Sequence, residues 1–214
     1  MIRLLGQSEF GLYSLIGSIA AYFSIMDLGL GNAIVRYTAR NRTKTDKEFE
    51  SKLNGIFLIL YALIGLLTVF IGIIVYYNID NIFGEKLSNI ELEKAKLMVI
   101  ILIINFSLSF PLSIFGSIIR AYERFIVDKL VSMIRIVLVP VITLPFLLVG
   151  YGSISMVIIT TVVNLSCLVF NLVYAIKKLD IKIHFGKIDT DLLKEILGYS
   201  FFVFLGVIVD QINW

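Results

Sequence analysis

The sequence predicts an all-α protein, a polytopic bundle of transmembrane helices. Hydrophobic residues make up 58% of the 214 residues and charged residues only 16%, and the mean hydropathy is +0.94. The charges fall between apolar runs of roughly 20 residues or more, the length that a helix needs to cross the bilayer core. We expect six spans, at residues 11–35, 53–77, 97–119, 130–149, 153–176 and 196–214.

The composition argues against several kinds of chemical site. Cys167 is the single cysteine and lies within an apolar run, so the chain has no disulfide framework and no thiolate ligand set. We interpret the single histidine, His184, as a solvated residue of a basic loop. No Walker loop, GxSxG or HExxH motif is present. We therefore expect no metal site, no cofactor and no enzyme activity.

Positive charge is distributed unevenly among the loops, and loop Lys and Arg residues set the orientation of a membrane protein. Residues 36–52, 120–129 and 177–195 carry six, three and five basic residues, fourteen of the 19 in the chain. We expect these three loops to be cytoplasmic. They lack the interleaved aromatic residues of single-strand nucleic-acid binders, so we expect no nucleic-acid partner.

Both ends of the sequence are abrupt under this orientation. The first span would run from outside to inside with few residues before it, and these do not resemble a signal peptide. The last apolar stretch stops at Trp214 without a polar tail. We expect a fragment cut at both ends.

Three polar residues interrupt the apolar run of the first span. A charge at the bilayer centre costs roughly 3 kcal/mol, so such residues usually face a bundle interior or a wet cavity. If residues 11–35 form one continuous helix, Asn32 and Arg36 share one face, whereas Asp27 lies on another face with Ala20 and Gly31. We expect Asn32 and Arg36 to face a cavity, and Asp27 to meet a donor or cation on a neighbouring helix.

Polar stripes also mark the later spans, because residues three, four or seven apart share one helix face. In the third span Asn105 and Arg120 belong to one stripe, and in the fifth span Asn164 and Asn171 belong to another. Arg135 lies about two turns into the fourth span. It either lines the bundle interior or extends its long side chain to the cytoplasmic interface.

Acidic residues within the spans are few, namely Asp27 and Asp210. We interpret both as helix-packing or coupling residues. A bundle with several polar faces and more arginines than carboxylates suits an anionic ligand better than a proton relay.

The stretch "LGQSEFGLYSLIGSIAAYFSIMDLGLGNAIVRYTA", residues 5–39, resembles the polysaccharide-unit flippases of the multidrug, oligosaccharidyl-lipid and polysaccharide exporter superfamily. Its "EFGLYSL" beginning and "DLGLGNAIVRY" end carry the resemblance, and the span count and loop charges fit it. The resemblance implies a two-lobed alternating-access transporter. Residues 1–186 would then supply helices two to six of the N-terminal lobe, without its first helix, and residues 187–214 the truncated start of the second lobe.

The resemblance also implies a substrate and a place. The substrate would be an undecaprenyl-pyrophosphate-linked oligosaccharide, flipped from the cytoplasmic to the outer leaflet of the inner membrane for lipopolysaccharide or capsule biosynthesis. The implied partners are this lipid-linked oligosaccharide, membrane lipids and polysaccharide-assembly proteins. The candidate substrate-cavity residues are Asn32, Arg36, Asn105, Arg120, Arg135, Asn164 and Asn171. The arginines would contact the anion, and the asparagines would form hydrogen bonds.

Three other functions compete with this interpretation. A drug or lipid exporter of the same fold would need a cation-coupling carboxylate and an apolar pocket, and the excess of arginine argues against it. An integral-membrane polysaccharide polymerase would need catalytic groups on a large outer loop, and the chain has no such loop. A noncatalytic membrane scaffold for polysaccharide assembly would not need polar stripes on several helices.

Overall fold

A computed structural model describes residues 5–42, 46–186 and 190–212, and over these ranges the chain is helical and contains no strand. The all-α fold class is therefore confirmed. The helices are α1 Gln7–Ile25, α2 Leu30–Arg42, α3 Lys47–Phe83, α4 Asn89–Ala121, α5 Phe125–Leu148, α6 Ser153–Leu179 and α7 Thr190–Ile212.

Six segments of the described chain are long and apolar enough to cross a membrane, which confirms the predicted number of spans. The chain is thus a multi-pass membrane protein. The first segment combines α1 and α2, and each remaining helix supplies one. The helices extend beyond the predicted apolar runs, and α3 begins at Lys47 rather than residue 53. Its charged first turns continue the helix, supported by an i,i+4 ion pair of 2.7 Å between Lys52 and Glu48.

Residues 11–35 do not form the one continuous helix on which the assignment of Asp27, Asn32 and Arg36 to helix faces depended. Helix α1 ends at Ile25, and α2 begins at Leu30 after a turn. Two consecutive residues of this turn have left-handed backbone angles, Leu28 with φ +52° and Gly29 with φ +73°. A right-handed helix cannot pass through such residues, and only glycine adopts them without strain. Helical periodicity therefore does not relate residues of α1 to residues of α2.

The described chain divides into two compact units. Unit 1 comprises Met1–Met26, Gly65–Ser109 and Leu130–Cys167, and unit 2 comprises Asp27–Ile64, Phe110–Lys129 and Leu168–Trp214. The core of unit 1 is formed by Leu12, Ile16, Ile79, Ala95, Met98, Val99, Leu102 and Val157. Fully buried apolar side chains of unit 2 include Ile34, Leu53, Phe57, Ile114 and Ile118. The lobe boundary predicted after residue 186 stays a prediction.

An extended segment after α6 docks on the first turns of α3 within unit 2. The backbone N–H of His184 donates to the carbonyl of Ser51 at 3.0 Å, and the Asn54 amide donates to the carbonyl of Lys182 at 3.1 Å. A Cβ at Gly55 would overlap the His184 carbonyl, so glycine permits this close approach. The His184 side chain is exposed, as its interpretation as a solvated residue requires.

Candidate functional site: a cavity in unit 1

Unit 1 contains a cavity of about 350 Å³ between helices α1, α4, α5 and α6. Three of the predicted site residues line it: Asn105 from α4, Arg135 from α5 and Asn164 from α6. The remaining lining residues are Tyr13, Ile16, Gly17, Ala20, Leu102, Phe106, Val157, Thr160 and Thr161. Residues from four helices, far apart in the sequence, thus converge on one space.

A chain of hydrogen bonds joins the polar side chains of the cavity. Arg135 Nη1 donates to Asn164 Oδ1 at 3.1 Å. Asn164 Nδ2 donates to Asn105 Oδ1 at 3.0 Å and to Ser109 Oγ at 2.9 Å, and Ser109 Oγ donates to Asn105 Oδ1 at 3.3 Å. Asn164 is the centre of the network, because its carbonyl faces the guanidinium and its amino group faces α4.

The helical spacing of the sequence explains how these groups meet. Asn105 and Ser109 are four residues apart on α4, so they lie one above the other on one face. Arg135 is an exposed residue of α5, and its guanidinium bonds Asn164 on α6. Arginine has five N–H donors, and this contact uses one of them. The cavity can therefore present further donors to a ligand.

The rest of the cavity wall is largely apolar. Ile16, Leu102, Phe106 and Val157 contribute hydrocarbon surface, and the hydroxyl groups of Tyr13, Thr160 and Thr161 add polar atoms. Such a wall accommodates a ligand with both polar and apolar parts. A guanidinium with amides and hydroxyls beside it is a donor set that suits phosphate oxygens or sugar hydroxyls.

The other four predicted cavity residues belong to unit 2. Asn32, Arg36 and Arg120 are exposed, and Arg120 Nη2 donates to Ser117 Oγ at 2.9 Å. The Arg36 guanidinium lies over the Tyr199 ring, 4.3 Å from its centroid. These three residues and Asn171 do not line the cavity of unit 1.

Asn171 of α6 is buried and has an unusual environment. Its side chain is 8% exposed, and its Oδ1 has no hydrogen-bond partner among the described residues. Its Nδ2 lies 3.3 Å from the position that a Cβ of Gly116 would take, so the small residue on α4 makes room for the amide.

Asp27 lies in the turn between α1 and α2. Its Oδ1 accepts a hydrogen bond of 2.6 Å from the hydroxyl of Tyr61 on α3, and its Oδ2 accepts one of 3.4 Å from the backbone N–H of Gly31. The first N–H groups of a helix have no partner within it, and lipid offers none. Asp27 thus stabilises the start of α2. Asp210 lies within α7, but its side chain is outside the described residues.

Sequence analysis missed a second polar junction, at the start of α6. Glu9 Oε2 accepts hydrogen bonds from the Ser153 backbone N–H at 2.9 Å and from Ser153 Oγ at 2.5 Å, and Glu9 also forms an ion pair with Lys94. One carboxylate therefore links α1, α4 and α6. The sequence gives little indication of this role, because Glu9 is a single acidic residue just before an apolar run.

Another missed contact joins two of the basic loops in unit 2. The hydroxyl of Tyr122 donates to Glu50 Oε1 at 2.5 Å, and the Arg42 guanidinium lies 4.5 Å from the Tyr122 ring centroid. Burial and the hydrogen bond to the Glu50 carboxylate raise the pKa of Tyr122, so its hydroxyl remains a donor.

The chain is similar to a known protein family and to a solved transporter structure. A family model described as "Polysaccharide biosynthesis protein" matches residues 1–214. Among solved structures, the chain is similar to the outward-facing conformation of a multidrug resistance MATE family transporter of the MOP superfamily, with a TM-score of 0.71 and 19% identity. The match covers 97% of this chain and 48% of that chain, so this chain spans about half its length. The likeness shows the fold. No curated protein matches the chain.

Proposed function

Because the chain belongs to the polysaccharide biosynthesis protein family, we propose that it forms a lobe of a membrane transporter for a lipid-linked oligosaccharide. The substrate is an undecaprenyl-pyrophosphate-linked oligosaccharide, which moves from the cytoplasmic to the outer leaflet of the inner membrane by alternating access. Residues 1–186 form the N-terminal lobe, and residues 187–214 begin the second lobe. The match to half of a MATE transporter chain supports this arrangement.

The network of Arg135, Asn164 and Asn105 is the observation that carries the proposal. An arginine in the middle of an apolar helix is costly unless it pairs with polar groups or faces water. Here α4 and α6 supply those polar groups, and a cavity adjoins them. A bundle that served only as a scaffold would gain more from apolar packing at these positions.

The parts of the substrate match the parts of the cavity. The Arg135 guanidinium binds pyrophosphate oxygens through paired hydrogen bonds, which an ammonium group reproduces poorly. Asn164 holds the guanidinium, Asn105 holds Asn164, and both asparagines bind sugar hydroxyls. Arg36 and Arg120 are proposed as further anion contacts, and Asn32 and Asn171 as further hydrogen-bonding groups. Asp27 and Asp210 act in helix packing or coupling.

Export of surface polysaccharide tests this proposal. We expect Arg135→Ala, in the protein as its gene encodes it, to abolish export in a flippase-deficient host while membrane abundance stays normal, and Arg135→Lys to retain part of it. Arg124→Ala is the matched control, because Arg124 is an exposed loop arginine outside the cavity. Export at the parent level in Arg135→Ala would contradict the proposal.

A drug or lipid exporter of the same fold is a second candidate. The largely apolar wall of the cavity favours it. Such an exporter would confer resistance to amphipathic drugs in a sensitive host, and Arg135→Ala would not abolish that resistance. The flippase would restore surface polysaccharide and confer no resistance.

A further inference from the structure

Helices α2 and α7 pack side by side within unit 2 and run antiparallel. At the start of α2, Gly29 approaches Ser200 and Val203 so closely that a Cβ at Gly29 would lie 2.9 Å from the Ser200 carbonyl oxygen. At the end of α2, Arg40 Nη1 lies 3.4 Å from Glu195 Oε1. The direction of the pair follows from these contacts, since the residue numbers rise on α2 as they fall on α7.

The two ends of this helix pair differ in chemistry. At the Gly29 end the contact is dry and tight. At the opposite end, five polar or aromatic side chains form the contact. We call this group the clasp: Arg36, Tyr37, Arg40, Glu195 and Tyr199. The Arg36 guanidinium lies 4.3 Å from the Tyr199 centroid, and the Tyr37 and Tyr199 rings meet edge to face with centroids 6.3 Å apart.

The charged side chains of the clasp are exposed to solvent, whereas Tyr37 is buried and Tyr199 is half-buried. The side chains of Arg40 and Glu195 are 61% and 51% exposed. Exposed ion pairs and exposed cation–π contacts are individually weak, so they form and separate readily. Arg36 and Arg40 are four residues apart on α2, and Glu195 and Tyr199 are four apart on α7. The same two faces therefore meet at two successive turns.

We propose that the clasp is the gate that closes the transport path at its basic, cytoplasmic end. This inference rests on the proposed function, in which α7 begins the second lobe. Separation of α2 from α7 would then be separation of the two lobes at that end. The gate is closed in this structure, and it opens when the substrate loads from the cytoplasmic leaflet. An exposed ion pair and a cation–π contact, each individually weak, suit a gate that must open once in every cycle.

Thiol labelling in inside-out membrane vesicles tests the gate directly. Ser200 is 3% exposed and lies under Gly29, so Ser200→Cys in a Cys167→Ser background reports on the α2–α7 contact. In the full-length protein, we expect a membrane-impermeant maleimide to label this cysteine slowly. Glu195→Arg places two arginines opposite each other and should raise the labelling rate by about threefold or more.

Two further variants distinguish opening of the gate from a general loss of structure, one that restores the charge pair and one that serves as a matched control. Adding Arg40→Glu to Glu195→Arg restores an opposite-charge pair, and labelling should return to the parent rate. Lys194→Glu is the control, because it reverses a charge one residue away on α7 at a side chain 80% exposed. It should leave labelling unchanged. Tyr199→Leu removes the ring beneath Arg36 without changing any charge and should also raise the rate.

Two results would overturn the gate: parent-rate labelling in both Glu195→Arg and Tyr199→Leu, or a doubly reversed protein that labels as fast as Glu195→Arg alone. Thermal unfolding of each variant shows whether it is folded. If Glu195→Arg alone is unstable, Tyr199→Leu and the doubly reversed protein, which keeps an opposite-charge pair, still test the gate. The labelling needs no substrate. If it follows the clasp while Arg135→Ala still exports polysaccharide, the gate stands and the proposed substrate site fails.

Discussion

The hydroxyl of Tyr61 on α3 donates a hydrogen bond of 2.6 Å to Asp27 Oδ1, at the point where α1 gives way to α2. Tyr61 is fully buried, and its ring stacks on Phe110 with centroids 6.5 Å apart. A carboxylate inside an apolar segment is thus stabilised by a donor from a neighbouring helix. It also accepts from the Gly31 N–H, and so it stabilises the broken end of α2.

Tyr61→Phe should lower stability without removing the ring from its packing. The substitution takes away a donor to a charged acceptor, and hydrogen bonds to charged groups contribute about 1.5–3 kcal/mol. Thermal unfolding in detergent should show a lower midpoint, and Asp27→Ala should show a loss of similar size with reduced membrane abundance. Tyr22→Phe is the control, since Tyr22 is 75% exposed. Equal midpoints for Tyr61→Phe and Tyr22→Phe would contradict this role of the pair.

Gly29→Ala should be among the most harmful glycine substitutions in the chain. Its left-handed φ of +73° strains any side chain, and the added Cβ would press against Ser200 and Val203 of α7. We expect a loss of about 1–3 kcal/mol. Gly198→Ala on α7 is the matched control, because its Cβ would meet nothing within 4 Å, and alanine favours a helix interior. The ranking fails if Gly198→Ala destabilises the protein more than Gly29→Ala does.

Glu9→Ala should loosen the junction of α1, α4 and α6. It leaves the buried N–H and hydroxyl of Ser153 without their acceptor and Lys94 without its ion pair, at a loss of about 1–3 kcal/mol. Glu9→Gln keeps an acceptor and should lose less. Glu93→Ala serves as the control, because Glu93 is exposed on α4. The measurement is the midpoint of thermal unfolding. Identical midpoints for Glu9→Ala and Glu93→Ala would contradict a stabilising role of Glu9 at this junction.

The orientation is tested with single cysteines in a Cys167→Ser background. The basic loops predict that cysteines replacing Phe125 and Phe185, both exposed, lie on the cytoplasmic side. A cysteine replacing Ser88, between α3 and α4, should lie outside. An impermeant thiol reagent should therefore label position 88 in intact cells and the other two positions in inside-out vesicles. The reverse pattern would invert the topology.

Much of the fold could be predicted because hydropathy alone determines which segments enter the bilayer. The all-α class and the six spans follow from composition and from the length of the apolar runs. The break at residues 26–29 could not be predicted, because a helical periodicity argument assumes the continuity that Leu28 and Gly29 abolish. The glycines in "DLGLG" were visible, but their backbone angles were not.

The site was predictable only in part, for a different reason. A polar stripe shows that Asn105 and Asn164 each share a helix face with other polar residues, but it does not show which helices face each other. The structure supplies that pairing, and it brings Arg135 and Ser109 into the same hydrogen-bond network. Glu9 was missed because its partner Ser153 becomes its neighbour only when α1 and α6 pack together.

Flipping in liposomes tests the central claim most directly. The full-length protein is purified and reconstituted with a fluorescent undecaprenyl-pyrophosphate-linked oligosaccharide, and the fraction that becomes accessible in the opposite leaflet is followed with time. We predict that the parent and Arg124→Ala flip this lipid at the same rate, that Arg135→Ala and Asn164→Ala flip it no faster than empty liposomes, and that Arg135→Lys is intermediate. Parent-rate flipping by folded Arg135→Ala would contradict the assignment of the unit 1 cavity as the substrate site.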